Sequence, residues 1–259
     1  MDRDPKPWIS ALRTSQDRLK GLVEPLVPDR VGTPSLATEW SVADVLSHLG
    51  SQAEIFEGIL DAALAGSPLP GPEAFPPVWD AWNAKSGEAQ VSDSVAANEV
   101  FVSKAEGLSD EQLGGLRFPM FGMDLDVAGF LQMRLSEHAV HSWDVAGALD
   151  PAAVVLADAV DLVVDTLPEM AKRIGKPPEV PFRVRIITSG PDRDFVLAVE
   201  DPVTLSPWDR GAADGVVRLP AEAWLRLVYG RLDDEHTPPL EVEGEGLTLD
   251  RLRAVFPGF

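Results

Sequence analysis

The sequence predicts an α+β protein built from two domains, a four-helix bundle over residues 1–150 and a small α+β domain over residues 151–259. Up to Leu149, apolar residues recur at helical spacing in four long segments joined by short to medium connections, which is typical of an antiparallel bundle. After Pro151, short segments with alternating apolar residues indicate β-strands for the first time. The Asp150-Pro151 step between the two patterns predicts the domain boundary.

The composition narrows the class of protein. The chain has 259 residues, 45% of them apolar, which is enough for a sizeable core, and it lacks an apolar run of the roughly 20 residues that a membrane span needs. It has no cysteine, so disulfides, cysteine-bound zinc and a catalytic thiol of its own are excluded. The net charge of −20 would repel nucleic acid and anionic membranes. Since the first residues also lack an apolar signal core, we expect a cytoplasmic protein with neither nucleic acid nor membrane as a partner.

Four amphipathic helices are predicted in the first domain. Ser41 has the position of an N-cap for the second helix, with Asp44 in the place where a capping box usually has Glu or Gln. The connector over Phe118–Met123 is expected to hold a short extended piece. The predicted helices are Trp8–Val27, Val42–Ala65, Val78–Leu108 with a break near Gly87–Ser92, and Leu125–Leu149.

The second domain is predicted to combine an antiparallel or mixed sheet with helices. A Ser-Gly-Pro-Asp turn after residue 188 indicates a hairpin between the first two strands. The predicted strands are Phe182–Thr188, Phe195–Val199, Val203–Leu205, Val216–Leu219 and Leu240–Val242, and the predicted helices are Ala152–Ile174, Ala221–Leu232 and Leu247–Phe256.

Three potential metal ligands fall on two of the bundle helices. Glu137 and His141 are four residues apart and share one face of the fourth helix, on a stripe that is otherwise apolar. His48 lies in the apolar stripe of the second helix. A carboxylate and imidazoles are costly to bury unless something satisfies them, and a metal ion such as zinc would do so. Histidines that are simply hydrogen-bonded in the core are the competing interpretation.

The spacing leaves the full ligand set open. His138 could join His141 as a pair three residues apart, which would leave Glu137 as a base. Asp144, one turn beyond His141, is a candidate acceptor for the imidazole N–H or an ordinary surface carboxylate. The fourth histidine, His236, lies in an acidic, proline-containing loop and is predicted to be a surface residue.

Two arginines are candidates for contacting an anionic substrate. Arg134 lies one turn before Glu137 and could bind a carboxylate bidentately, or pair with Glu137. Arg231 follows Gly230 and could reach an anionic substrate or cofactor, or be a surface arginine after the glycine that ends a helix.

Two motifs resemble those of a known family. The segment Trp40-Ser41-Val42-Ala43-Asp44-Val45-Leu46-Ser47-His48-Leu49 and the Glu137…His141…Asp144 spacing resemble the signatures of the mycothiol-dependent maleylpyruvate isomerase family, a branch of the DinB-like superfamily. The resemblance implies a metal held by His48, Glu137 and His141, and His138 then lies outside the ligand set. Residues 219–231, followed by Val242-Glu243-Gly244, resemble the C-terminal domain of the family, which is similar to sterol-carrier-protein-2-like folds.

The resemblance also implies a chemistry. It predicts a metal-dependent enzyme, with zinc as the expected divalent ion and mycothiol as a thiol cosubstrate. The expected reaction is cis–trans isomerisation or S-transfer on a small electrophilic, anionic substrate, in a monomer or homodimer whose second domain closes the pocket. Two other classes remain open at this point: a non-catalytic module that binds a small ligand, and a metal-dependent hydrolase that activates water.

Overall fold

The structure is a computed structural model that describes residues 3–26 and 28–258. The chain divides into two compact units, Met1–Ala153 and Val154–Phe259. The order of elements confirms the predicted fold class, a helical N-terminal region followed by a region of mixed helices and strands. Within the described residues, no helix combines the length and the apolar content needed to cross a membrane.

The first unit is built on four long helices. Among them, α1 and α2 each pack against both α4 and α6. The elements in chain order are α1 (Lys6–Val23), α2 (Val42–Leu64), α3 (Phe75–Asn83), α4 (Gly87–Glu106), α5 (Asp110–Gly115), β1 (Phe118–Met120), β2 (Met123–Leu125) and α6 (Val127–Leu149). The antiparallel β1–β2 pair confirms the expected extended piece in the connector.

Two predicted helix boundaries in this unit are corrected. The first helix ends at Val23 and not at Val27, a residue that lies outside the described part of the chain. The break predicted near Gly87–Ser92 lies just before that segment, at residues 84–86, because the side chain of Ser86 accepts a hydrogen bond from the backbone of Ala89 and thereby starts α4.

The helix that carries His48 begins at a capping box. The Ser41 hydroxyl oxygen accepts a hydrogen bond from the backbone N–H of Asp44 at 3.2 Å, and the Asp44 carboxylate accepts one from the backbone N–H of Ser41 at 2.9 Å. Aspartate therefore fills the role usually held by Glu or Gln, as predicted. The cap fixes the start of α2 at Val42, which places His48 within its first two turns.

The core of the first unit contains a cluster of buried apolar side chains. Its members come from α1, α2, α4 and α6, and they include Leu19, Val42, Val45, Leu46, Leu49 and Val145. Gly50 on α2 makes room for α3, because a Cβ at this position would lie 2.3 Å from the ring of Trp82. Helix α2, which carries His48, thus packs closely against both the apolar core and α3.

The second unit, over its described residues, contains a five-stranded sheet and four helices. Its elements are α7 (Ala157–Val163), α8 (Leu167–Ile174), β3 (Phe182–Ser189), β4 (Arg193–Val199), β5 (Thr204–Pro207), β6 (Gly215–Pro220), α9 (Ala221–Val228), β7 (Glu241–Gly244) and α10 (Leu249–Val255). The strand order is β5-β4-β3-β6-β7, with β3 and β6 parallel and the other neighbours antiparallel. The sheet is therefore mixed, one of the two arrangements predicted.

The prediction of a single helix over Ala152–Ile174 is wrong. The structure has α7 and α8 separated by a 3₁₀ turn at Val164–Thr166. Pro168 accounts for the interruption, because proline lacks the backbone N–H of a helix interior and is tolerated only near a helix start, where it lies in α8.

Candidate metal centre

His48, Glu137 and His141 come together where α2 packs against α6. Glu137 and His141 lie one turn apart on α6, and His48 faces them from α2. One ligand atom from each residue can be chosen so that all three lie within 4.8 Å of one another. The Oε2 atom of Glu137 is 3.2 Å from Nε2 of His48 and 3.7 Å from Nε2 of His141.

Two further polar side chains fix the orientation of this cluster. Asp144 is fully buried, and its Oδ2 lies 2.8 Å from Nδ1 of His141, which confirms the predicted acceptor. Because a carboxylate can only accept, Nδ1 of His141 carries the proton and Nε2 presents its lone pair towards Glu137 and His48. Gln52, one turn after His48, donates from Nε2 to Oε2 of Glu137 at 3.1 Å.

An aromatic side chain covers one side of the cluster. The Trp40 ring stacks on His141 with centroids 5.8 Å apart and lies 5.2 Å from the ring of His48. Glu39, the preceding residue, has a φ of 67°, a left-handed backbone conformation that is uncommon for residues other than glycine. Trp40 itself is 38% exposed, so it forms part of the surface around the site. Sequence reasoning missed this contact, because only the tertiary packing of α2 on α6 brings Trp40 to His141.

The cluster is open to solvent on one side and is electrostatically suited to a cation. The side chains of His48, Glu137 and His141 are 25%, 34% and 12% exposed. Burial raises the pKa of Glu137, but the hydrogen bond with His48 and the positive charges that His141 and His48 carry when protonated outweigh burial and lower that pKa to about 2. Burial lowers the pKa of His48 below its ordinary value. An ionised carboxylate and a neutral imidazole are the forms that bind metal ions.

The donor set therefore fits a divalent metal ion. Two imidazole nitrogens and one carboxylate oxygen converge at the cluster. Asp144 accepts a hydrogen bond from Nδ1 of His141, as is usual for the second ring nitrogen of a histidine that binds a metal. Together with the partial exposure of all three side chains, this arrangement could hold a metal that is reachable from solvent.

Arg134 does not lie where a substrate carboxylate could reach it. The residue is fully buried, with 0% exposure, and its guanidinium donates to Gln52 Oε1 at 3.2 Å, to the Leu49 carbonyl at 3.1 Å and to Asn98 Oδ1. Burial lowers its pKa to about 10, against the opposing charge of Glu137. The helical spacing correctly placed Arg134 near Glu137, but it carried no information on depth in the bundle.

His138 is not part of the cluster, although it neighbours Glu137 in sequence. It is fully buried, and its Nδ1 lies 2.7 Å from the Ser15 hydroxyl and 3.1 Å from the Ser142 hydroxyl. Among the described residues, the group that could hold a metal consists of His48, Glu137 and His141. His138 belongs instead to the contact between α6 and α1.

The prediction that His236 is a surface residue is wrong. The residue is only 8% exposed, because Asp233 accepts hydrogen bonds from both its backbone N–H and its Nδ1, each at 2.8 Å. The His236 carbonyl accepts a further bond from Arg226 at 2.7 Å, which ties the loop to α9. Arg231 in the same unit is half-buried and donates to the Tyr229 carbonyl at 3.1 Å.

Fold and site together define a class of protein, a helical bundle with a His/Glu/His cluster joined to a mixed α/β unit. Residues 12–146 match the family model of the mycothiol maleylpyruvate isomerase N-terminal domain, and residues 157–251 match that of the C-terminal domain of the same group. The chain belongs to the mycothiol maleylpyruvate isomerase family.

One relative and two solved structures are similar to this chain over most of its length. An uncharacterized protein of Mycobacterium tuberculosis strain H37Rv is 28% identical over 239 residues, which cover 85% of this chain and 82% of the relative. The crystal structure of the mycothiol-dependent maleylpyruvate isomerase has a TM-score of 0.64 at 15% identity, over 92% of both chains. A histidine-to-alanine mutant of that enzyme gives 0.63 at 16% identity, over 87% of this chain and 89% of the mutant. At such identities the likeness establishes the fold.

Proposed function

We propose that this chain is a metal-dependent enzyme that uses mycothiol as a cosubstrate for cis–trans isomerisation or S-transfer on a small anionic electrophile. The observation that carries the proposal is the convergence of His48, Glu137 and His141 in a member of this family. Zinc is the expected ion, because two histidines and a glutamate are a frequent ligand set of catalytic zinc.

The geometry of the cluster supports a role for each of its residues. His48, Glu137 and His141 would hold the metal, and a bound divalent metal supplies a positive charge that lowers the pKa of a neighbouring thiol or water. Asp144 keeps His141 in the tautomer that presents Nε2 to the cluster. Three protein ligands are typical of catalytic zinc sites, whereas structural zinc sites have four.

The sulfur nucleophile has to come from outside, since the chain contains no cysteine. Addition of the thiol sulfur to one carbon of an activated double bond converts that bond into a single bond about which the product can rotate. Breaking the new C–S bond then restores the double bond and releases the thiol, which gives isomerisation. Retention of the C–S bond, with a proton added to the neighbouring carbon, gives an S-conjugate. If the substrate carries another thiolate as a leaving group, displacement of that thiolate by the sulfur gives thiol exchange.

That Arg231 contacts an anionic group of the substrate stays a prediction from the sequence. The guanidinium carries a permanent positive charge and can bind a carboxylate bidentately. Arg134, the other arginine predicted for this role, is withdrawn from substrate contact because it is fully buried.

The proposal is tested by two measurements on protein purified without a histidine tag. Elemental analysis should find about one equivalent of metal, as three protein ligands at one site imply. An assay with maleylpyruvate and other small electrophiles should show turnover that requires mycothiol, and glutathione should support it poorly. Metal-free protein that still binds a small ligand tightly would indicate a binding module instead. Full turnover without any thiol would indicate a hydrolase that activates water.

A further inference from the structure

A network of polar side chains contacts Glu137 and contributes none of the three candidate metal ligands. It consists of Gln52 on α2, Asn98 on α4 and Arg134 on α6, and we call it the support network. The support network contacts the cluster at Glu137, because Nε2 of Gln52 donates a hydrogen bond to Oε2 of Glu137 at 3.1 Å. The same oxygen is the one nearest to Nε2 of His48, at 3.2 Å. The network therefore ends on the atom that the carboxylate would offer to a metal.

Arg134 decides which way the Gln52 amide points. A guanidinium has only donors, and Nη1 of Arg134 lies 3.2 Å from the Gln52 side chain. The amide oxygen of Gln52 must therefore face Arg134, and its NH₂ group must face Glu137. With the amide turned over, Gln52 would present its oxygen to the carboxylate and an N–H group to the guanidinium, and both contacts would be repulsive.

Arg134 is itself held by partners that cannot move easily. Its Nη2 donates to the carbonyl of Leu49 at 3.1 Å and to Oδ1 of Asn98. Asn98 in turn donates from Nδ2 to the carbonyl of Ser94 at 2.8 Å. Each direction of donation is therefore fixed: Arg134 donates to the backbone of α2, to Asn98 and to Gln52, and Gln52 donates to Glu137.

The burial of Arg134 is costly and calls for a reason. The residue is fully buried, and no described carboxylate lies within ion-pair distance of its guanidinium. Its Nε has no hydrogen-bond partner among the described residues. An apolar side chain of similar volume could fill this part of the core without such a penalty. Packing alone therefore does not account for an arginine here, whereas the orientation of Gln52 does.

We propose that Gln52 and Arg134 are positioning residues that fix the Glu137 carboxylate for metal binding, with Arg134 acting through Gln52. The inference rests on the proposed metal site. Hydrogen-bond partners of metal ligands orient those ligands, and their loss typically lowers metal affinity about 10–100-fold. Because Arg134 acts through Gln52, removal of both side chains should cost no more affinity than removal of Gln52 alone.

The test is a double-mutant cycle read out as zinc affinity. The metal is removed with a chelator, and the Kd for Zn²⁺ alone is measured by competition with a chromophoric chelator. The variants are Gln52→Leu, Arg134→Met and the double variant, with circular dichroism as the check of folding. Gln16→Leu is the matched control, because Gln16 is a buried glutamine of the same bundle whose Nε2 donates to the Val95 carbonyl. Arg134→Lys, which keeps the charge, replaces Arg134→Met if the latter does not fold.

We expect Gln52→Leu to weaken zinc binding about 10–100-fold, Arg134→Met to weaken it to a similar or smaller extent, and the double variant to match Gln52→Leu. Gln16→Leu should keep the affinity of the unmodified chain. Unchanged affinity in Gln52→Leu or in Arg134→Met, or losses that multiply in the double variant, would overturn the inference while leaving the metal site in place. An unmodified chain that binds no zinc would overturn the proposed metal site and the inference together.

Discussion

Each of the two units contains a buried arginine, and the two arginines differ in the groups that accept their hydrogen bonds. Arg226 in the second unit pairs bidentately with Glu222, at 2.7 and 2.8 Å, and donates to the His236 carbonyl. Arg134 in the bundle has only neutral acceptors within hydrogen-bond distance among the described residues. A buried charge with an ionic partner one turn away is a local structural element. A buried charge that lacks an ionic partner and lies next to a cluster of potential metal ligands indicates a role at that cluster.

The largest expected effect separates the two arginines by stability. Glu222→Gln removes the ionic partner of Arg226, and both side chains are largely buried, so we expect unfolding free energy to fall by about 3–5 kcal/mol. Urea denaturation measures this change. Zinc affinity of the folded protein should be unaffected, because Glu222 lies in the other unit, and a large loss of affinity would remove the distinction between the two regions.

Two Asp–His pairs with the same spacing allow a sharper comparison. Asp144 lies 2.8 Å from His141, and Asp233 lies 2.8 Å from His236. Asp144→Asn should weaken zinc binding about 10–100-fold, because the outer N–H of a ligand histidine loses its charged acceptor. Asp233→Asn is the control and should bind zinc as the unmodified chain does. Equal losses in the two variants would contradict the assignment of His141 as a ligand.

A third variant probes the helix that carries His48. Ser41→Ala removes the side-chain acceptor of the capping box at the start of α2 and should lower the unfolding free energy by about 1 kcal/mol. The thermal midpoint measures this effect. Zinc affinity should stay within about twofold, since the cap stabilises the helix but touches none of the three ligands; a larger change would mean that fraying of α2 controls the site.

The smallest stability effect is expected at Arg134 itself. Arg134→Met removes a buried charge that lacks an ionic partner among the described residues, so we expect the unfolding free energy to change by no more than about 1 kcal/mol, in either direction. This outcome contrasts with Glu222→Gln. A loss as large as that of Glu222→Gln would show that Arg134, too, is chiefly structural.

The sequence predicted the parts of the site that depend on local geometry. Glu137, His141 and Asp144 share a helix, and helical periodicity alone sets their relation. The capping box at Ser41 and Asp44 is likewise local, as is the effect of Pro168, although the break before Pro168 was missed. His48 lay in an apolar stripe, where a polar residue is conspicuous.

The remaining features depend on which surfaces meet in three dimensions. The partners of Gln52 and Arg134 come from α2, α4 and α6 together, so no single segment reveals them. The depth of Arg134 in the bundle follows from the same packing. The composition of the loop around His236 indicated exposure, whereas backbone hydrogen bonds from Arg226 and to Asp233 fold that loop against its unit.

The most direct test of the central claim follows the metal while a thiol is added. Protein loaded with cobalt in place of zinc is titrated with mycothiol, with His141→Ala beside it as the variant that should fold but lose the metal, because alanine is the best helix former. We predict a new sulfur-to-cobalt charge-transfer band that saturates at about one equivalent of thiol in the unmodified chain and is missing in His141→Ala. Cobalt spectra that no thiol perturbs, together with full turnover in the absence of thiol, would contradict the account and assign the metal to the activation of water.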